Sequence, residues 1–128
     1  MKFTIPVEPK AKQRARVISR GGKTISYTPG QTVKTETLIR SYLLQEKVYI
    51  DKGEPIHLEV TFNIVKPQSV GKKRVLPVTR PDIDNYLKLV LDACNKFLWA
   101  DDSQITTLIA KKRYADKPSI EIEIITDS

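Results

Sequence analysis

The stretch Arg80-Pro81-Asp82-Ile83-Asp84-Asn85-Tyr86-Leu87-Lys88 concentrates the reactive chemistry of this chain. Two carboxylates stand two residues apart, and a lysine follows Asp84 by one helical step. Asp92 repeats that step, and Asp101-Asp102 adds two more carboxylates just beyond Trp99. Clustered carboxylates repel one another unless something positive sits among them. A hard divalent cation such as Mg²⁺ takes oxygen ligands and keeps waters for chemistry. Nuclease sites use such ions to hold a phosphate and to stabilise the leaving oxygen, and a nearby lysine can offset charge building on that phosphate. Each piece alone has a plainer reading. An Asp at a helix start can be a cap. Asp84 and Lys88 can be an ordinary surface pair of little net value, and two aspartates after a helix can be a turn.

The charge pattern supplies a context for phosphate. The 128 residues carry 22 Lys+Arg against 15 Asp+Glu, a formal charge of +7. Between Pro9 and Thr35 no acidic residue occurs, while Lys10, Lys12, Arg14, Arg16, Arg20, Lys23 and Lys34 do. A second acid-free stretch from Val60 to Pro81 holds Lys66, Lys72, Lys73, Arg74 and Arg80. Both stretches read as loops or loop-rich segments, punctuated by Gly21-Gly22, Pro67, Gly71 and Pro77. Arginine contacts phosphate with two hydrogen bonds, and lysine acts as a point charge. The candidate DNA contacts are therefore Lys12, Arg14 and Arg16 in the first stretch. In the second they are Lys72, Lys73, Arg74 and Arg80.

Length and composition bound the rest. A chain with 40% apolar residues can build a core, so an all-polar disordered chain is excluded. Two large domains are excluded too, and a single domain over 1–128 is expected. Its radius of gyration, roughly 14 Å, is comparable to a duplex width. One copy could grip one duplex but not enclose a branched one. No run of about 18 apolar residues exists to span a membrane. Met1–Val7 turns polar too quickly for a signal peptide. The one cysteine, Cys94, cannot pair internally, so a cytoplasmic setting is expected. Cys94 reads as core, and Phe97 and Trp99 as packing of a helix end. His57 has no partner at metal-ligand spacing. No glycine-rich nucleotide loop and no Ser/His/Asp or Cys/His arrangement is present.

The elements that must position the carboxylates follow from periodicity. Residues 2–7 alternate weakly as a short strand. Thr28-Pro29 starts a helix to about 48, with Leu38, Ile39, Tyr42, Leu43 and Leu44 at helical spacing. Ile56–Val65 alternates every second residue, with Leu58, Val60, Phe62 and Ile64 on one face. Asp82 or Asp84 caps a second helix over about 84–98, with Leu87, Val90, Leu91, Cys94 and Leu98 on its broad apolar face. If residues 82–84 are extended, both carboxylates point to one side. On the helix, Asp84, Lys88 and Asp92 share a face. Ile105–Tyr114 and Ser119–Ile125 are two more strands, joined by a hairpin-like turn at Asp116-Lys117-Pro118. The order β, α, β, α, β, β implies an α+β fold, a single layer of mixed sheet with helices on one face.

At these residues the sequence resembles the RusA family of Holliday junction resolvases, including the phage and prophage versions. The strongest part is Pro81–Lys88, then Leu91-Asp92-Ala93 and Asp101-Asp102-Ser103-Gln104-Ile105. A second match is Pro9–Arg16, leading to Tyr27-Thr28-Pro29. The resemblance implies a homodimeric, Mg²⁺- or Mn²⁺-dependent endonuclease that nicks four-way DNA junctions symmetrically. By motif position, Asp82, Asp84 and Asp102 would bind the metal and Lys88 would be the catalytic lysine. Asp92 and Asp101 match common family positions. Pro81 departs from the pattern, because a basic residue usually precedes the first aspartate, and Arg80 stands one step back. Two other readings remain open on the residues alone. One is a less selective branched-DNA or single-strand nuclease, the other a non-catalytic DNA-binding protein.

Overall fold

Ile56, Leu58, Val60 and Phe62 are all fully buried, and the fold is assembled around the strand that carries them. The computed structural model describes residues 1–14, 16–27 and 29–126. Its main sheet contains β1 (Lys2–Ile5), β4 (Ile56–Val65), β5 (Ile105–Ala115) and β6 (Ser119–Thr126), in the order β1-β6-β4-β5. A separate ribbon pairs β2 (Arg16–Arg20) with β3 (Lys23–Tyr27). Two helices, α1 (Gly30–Leu44) and α2 (Ile83–Cys94), complete the chain.

The sheet is mixed, as the element order implies. β4 and β5 run parallel because α2 crosses over between them, whereas β1–β6 and β6–β4 are antiparallel. Register lines up the buried face in rows: Ile5 opposite Ile120 and Phe62, Phe3 opposite Ile122 and Val60. α1 and α2 pack on this face, with Ile39, Leu43, Leu89, Val90 and Cys94 buried against it. Each such side chain withdrawn from water stabilises the fold by roughly 1.5–3 kcal/mol. The other face is a lattice of charge, with Lys2 paired to Glu121 at 3.7 Å and Lys111 to Glu59.

Four expectations need correction. First, Pro9–Thr35 is not all loop, for the β2–β3 hairpin occupies its middle. Gly21 and Gly22, both at positive φ (57° and 77°), make the two-residue turn that such a ribbon requires. Second, β5 and β6 are not a hairpin. They flank β4 on opposite sides, and Asp116-Lys117-Pro118 carries the chain over the end of β4. Spanning two strand spacings takes about 10 Å, within reach of so short a link. Third, α1 ends at Leu44 rather than 48, and its buried face is Thr32, Thr35, Glu36, Ile39 and Leu43. Leu38, Tyr42 and Leu44 face solvent. The expected Thr28 cap lies outside the described residues. Fourth, α2 ends at Cys94. Lys96 takes a left-handed backbone (φ 64°), and Phe97 N and Leu98 N both donate to Cys94 O, folding the chain back. Leu98 and Trp99 are buried through that turn, not through a longer helix.

Candidate active site

α2 is the platform on which the carboxylates stand. Asp82 holds the N-cap position with an extended backbone (φ −67°, ψ 146°), but its side chain makes no capping hydrogen bond. Its carboxylate is therefore not spent on the helix end. The segment before it is tied to the sheet by Lys112, whose Nζ donates to Thr79 O and Pro81 O, both at 2.9 Å. Asp84 already lies within the first turn of α2, so residues 82–84 are not extended together. The two carboxylates open instead into neighbouring depressions that share Asn85 as a wall. Asp82 lines one of about 340 Å³ with Arg80, Pro81 and Asn85.

Asp84 lines the larger cleft, of about 730 Å³, with Asn85, Lys88 and Asp92 from α2 and Lys12, Gln13 and Arg14 from the segment entering the hairpin. The helical stripe read from sequence is thus one wall, and the first basic segment is the other. Lys12 N donates to Asn85 O at 2.9 Å, and Gln13 N to Thr32 Oγ1 at 3.0 Å, which fixes that segment across the N-terminal turns of both helices. Among the described residues no ion pair joins Lys88 to Asp84 or Asp92.

The partner of Asp92 is Lys12. Lys12 Nζ lies 2.8 Å from Asp92 Oδ2 and 2.9 Å from Glu36 Oε1. Burial opposes the charge on this amine, but its hydrogen bonds to Asp92 and Glu36 prevail and hold its pKa above the ordinary lysine value. Arg40 completes the network: it approaches Glu36 at 3.5 Å, and its Nε donates to Ala93 O at 2.9 Å and its Nη2 to Asp92 O at 3.1 Å. Those carbonyls belong to the last turn of α2, where a cation is favoured. Sequence reasoning singled out Lys12 as a phosphate contact. Here its amine meets two carboxylates, and the exposed guanidinium beside it in the cleft is Arg14.

The reverse turn after α2 delivers Asp102. Asp102 N donates to Asn95 Oδ1 at 3.1 Å, and Asp102 Oδ1 accepts from Trp99 Nε1 at 2.7 Å. Burial pushes the Asp102 carboxyl above the ordinary aspartate range, Asp92 and Asp101 add to that, and only the indole N–H opposes it. The neighbouring Asp101 is used differently. It caps the single 3-10 turn Asp102–Gln104, accepts from Ser103 Oγ at 2.8 Å, and lines another depression with Lys52 and Glu54. The plain reading of an Asp-Asp turn holds for Asp101, while Asp102 points toward company that is acidic.

Among the described residues no three Asp, Glu, His or Cys side chains stand close enough to hold a metal ion together. Asp82, Asp84 and Asp102 are thus not drawn into one shell. The donor chemistry nevertheless suits a hard cation. All three are oxygen donors, Asp82 is free of a capping role, and Asp102 has an excess of negative neighbours.

Lys72, Lys73 and Arg74 are exposed in the segment after β4, where Lys66 Nζ donates to Arg74 O at 2.7 Å. Arg80 borders the Asp82 depression, and Arg16 begins β2. Cys94 is a free, fully buried thiol pushed up to about 12 by desolvation, in keeping with core. Lys112, Glu36 and Arg40 were not legible as site residues, since each acts through a contact between elements distant in sequence.

A family model described as Endodeoxyribonuclease RusA matches residues 6–125. The chain belongs to the RusA endodeoxyribonuclease family. All of Asp82, Asp84, Lys88 and Asp102 fall within that match. The chain is 34% identical over 131 residues to the crossover junction endodeoxyribonuclease rusA of Lactococcus phage r1t, covering 97% of this chain and 98% of that one. It is 30% identical over 134 residues to the uncharacterized protein YqaN of Bacillus subtilis (strain 168), covering 97% and 94%. The α+β mixed sheet with two helices accords with the RusA-like fold expected from the motifs. Among the described residues no helix is long and apolar enough to cross a membrane.

Proposed function

We propose that this RusA-family endodeoxyribonuclease is a single-domain enzyme that resolves four-way DNA junctions by Mg²⁺-assisted hydrolysis, acting as a homodimer in the cytoplasm. One observation carries the reading: the Asp84–Lys88–Asp92 stripe of α2 and the basic Lys12–Arg14 segment face each other across one cleft. Carboxylates for a cation and a guanidinium for phosphate then meet on the same strand of DNA.

In this reading Asp82, Asp84 and Asp102 would hold the ion, which would have to draw them together by offsetting their repulsion, with Mn²⁺ as a substitute. A bound divalent ion would supply Lewis-acid polarisation of the scissile phosphate. Lys88 lies on the Asp84 face, without a carboxylate partner among the described residues, and stabilises negative charge on the phosphoryl oxygens. Water is the nucleophile, because the residues lining the cleft include no hydroxyl or thiol. Its oxygen bonds to phosphorus as its proton passes to solvent, one ester P–O bond breaks, and the departing oxygen takes up a proton from solvent, so that water is added across the bond. Lys12 and Arg40 neutralise Glu36 and keep Asp92 oriented. Arg14, Arg16, Lys72, Lys73, Arg74 and Arg80 bind flanking phosphates.

The test is cleavage of a synthetic four-way junction with and without Mg²⁺, beside a linear duplex of the same length. Junction-selective, Mg²⁺-dependent cleavage supports the proposal. Equal cutting of both substrates favours a less selective nuclease. Binding without cutting under all metal conditions favours a non-catalytic DNA-binding protein.

A further inference from the structure

Beyond Arg16 at its root, the β2–β3 ribbon has no place in the catalytic scheme, yet its surface is unusual for a hairpin in water. It is a separate two-stranded sheet, and every residue from Val17 to Ser26 is exposed. Val17, Ile18 and Ile25 are 64%, 43% and 46% accessible. Ile18 stands directly opposite Ile25, and Arg20 opposite Lys23. Side chains repeat every second residue along a strand, so these two pairs share one face. The result is an apolar rung beside a doubly cationic rung, on a stretch with no acidic residue. A two-stranded hairpin is marginal by itself, and this one spends its β-branched residues on solvent.

The placement of its root is equally specific. Lys12 and Gln13 are pinned to α2 and α1 by backbone hydrogen bonds, Arg14 lines the candidate active cleft, and the ribbon begins at Arg16. A five-residue strand extends roughly 17 Å, about five base-pair steps of duplex at 3.4 Å each. The ribbon can therefore touch DNA several steps from the phosphate held in the cleft.

Resting on the proposed junction-resolving function, we infer that the Ile18–Ile25 face of this hairpin docks on the open base-pair faces at the centre of a branched DNA, with Arg20 and Lys23 on the phosphates around it. Charge complementarity selects a polyanion. The isoleucine pair selects the branch, since intact duplex offers its phosphates outward but conceals its base faces. Apolar side chains inserted between bases are an established way to exploit unstacked steps. At a branch point the unstacking is already made. The hairpin thus acts as a structure reader, while the cleft acts on the backbone.

The experiment compares wild type with Ile18→Thr/Ile25→Thr, which keeps β-branched residues in both strands. Binding to a junction and to a duplex is measured without divalent metal, with 2-aminopurine at the branch point as reporter. Wild type is expected to prefer the junction and to change the fluorescence of the branch base. The double variant should keep its duplex affinity but lose about tenfold in junction affinity, with the fluorescence change abolished. A companion variant, Arg20→Gln/Lys23→Gln, should weaken binding to both DNAs and lower the salt slope by about two units. Circular dichroism melting of both variants checks folding. Unchanged junction preference and fluorescence in a folded isoleucine variant overturns the inference. So does a loss of dimer mass in that variant alone, which would assign the face to a second copy of the chain. Metal-dependent junction cleavage by wild type is run in parallel. If wild type cleaves junctions selectively but the variants behave like it, only the hairpin inference falls. If wild type neither cleaves nor prefers junctions, the functional proposal falls with it.

Discussion

Trp99 shows how a single residue joins core and chemistry. Its ring is fully buried, yet its indole N–H reaches Asp102 at 2.7 Å. A buried indole normally finds an acceptor, so a tryptophan three residues before a candidate ligand is a signal that sequence can carry. Trp99→Phe keeps most of the apolar volume and removes the donor. We predict a loss of about 2 kcal/mol in urea unfolding and a larger fall in single-turnover cleavage than in junction binding. Lys12 belongs to the same scale. Its pKa is raised in the fold, so its contribution is complete below the unfolded lysine value of about 10.4 and is lost as pH rises through the still higher folded value. Lys12→Met should lower stability by about 2 kcal/mol at neutral pH and flatten the alkaline limb of the stability curve. An unchanged alkaline limb would show that the Glu36–Lys12–Asp92 bridge contributes nothing.

At the scale of elements, the central strand and the α2 stripe were legible and the hairpin and α1 face were not. From Ile56 to Ile64 apolar and polar residues alternate, and burial of Ile56, Leu58, Val60 and Phe62 on one face enforces that pattern. The hairpin carried a usable signal, Gly-Gly between two short runs with Val, Ile, Thr and Tyr. The same Gly21-Gly22 pair, taken as loop punctuation, drew the reading toward a loop. The α1 pattern misled because this helix also meets α2 directly through Arg40 and, by way of Lys12, through Glu36, so polar residues took inner positions. Asp84, Lys88 and Asp92 came together because helical spacing is local. The approach of Lys12 to Asp92, and of Lys112 to the chain before Asp82, depends on tertiary packing that no local pattern encodes. That second contact makes β5 a positioning element for the start of α2. Lys112→Met removes two donors to backbone carbonyls and should cut single-turnover cleavage about tenfold, a barrier change of about 1.4 kcal/mol. Junction affinity should change little. A loss confined to thermal stability would make Lys112 a structural tie only.

Each chain carries the Asp84–Lys88–Asp92 stripe and its facing basic segment once, whereas a four-way junction is resolved by two nicks. A two-fold dimer presents the same site to two opposed strands. Light scattering at micromolar concentration should therefore give about twice the chain mass, and a hybrid with one Asp84→Asn subunit should nick one strand without resolving the junction. The most direct measurement of the central claim is strand-specific cleavage of a labelled four-way junction by wild type and Asp84→Asn, with Mg²⁺ and with chelator. Wild type is expected to make paired, symmetric incisions only with Mg²⁺, and Asp84→Asn to bind the junction without cutting it. Cleavage that survives chelation, or that survives in Asp84→Asn, would contradict that claim.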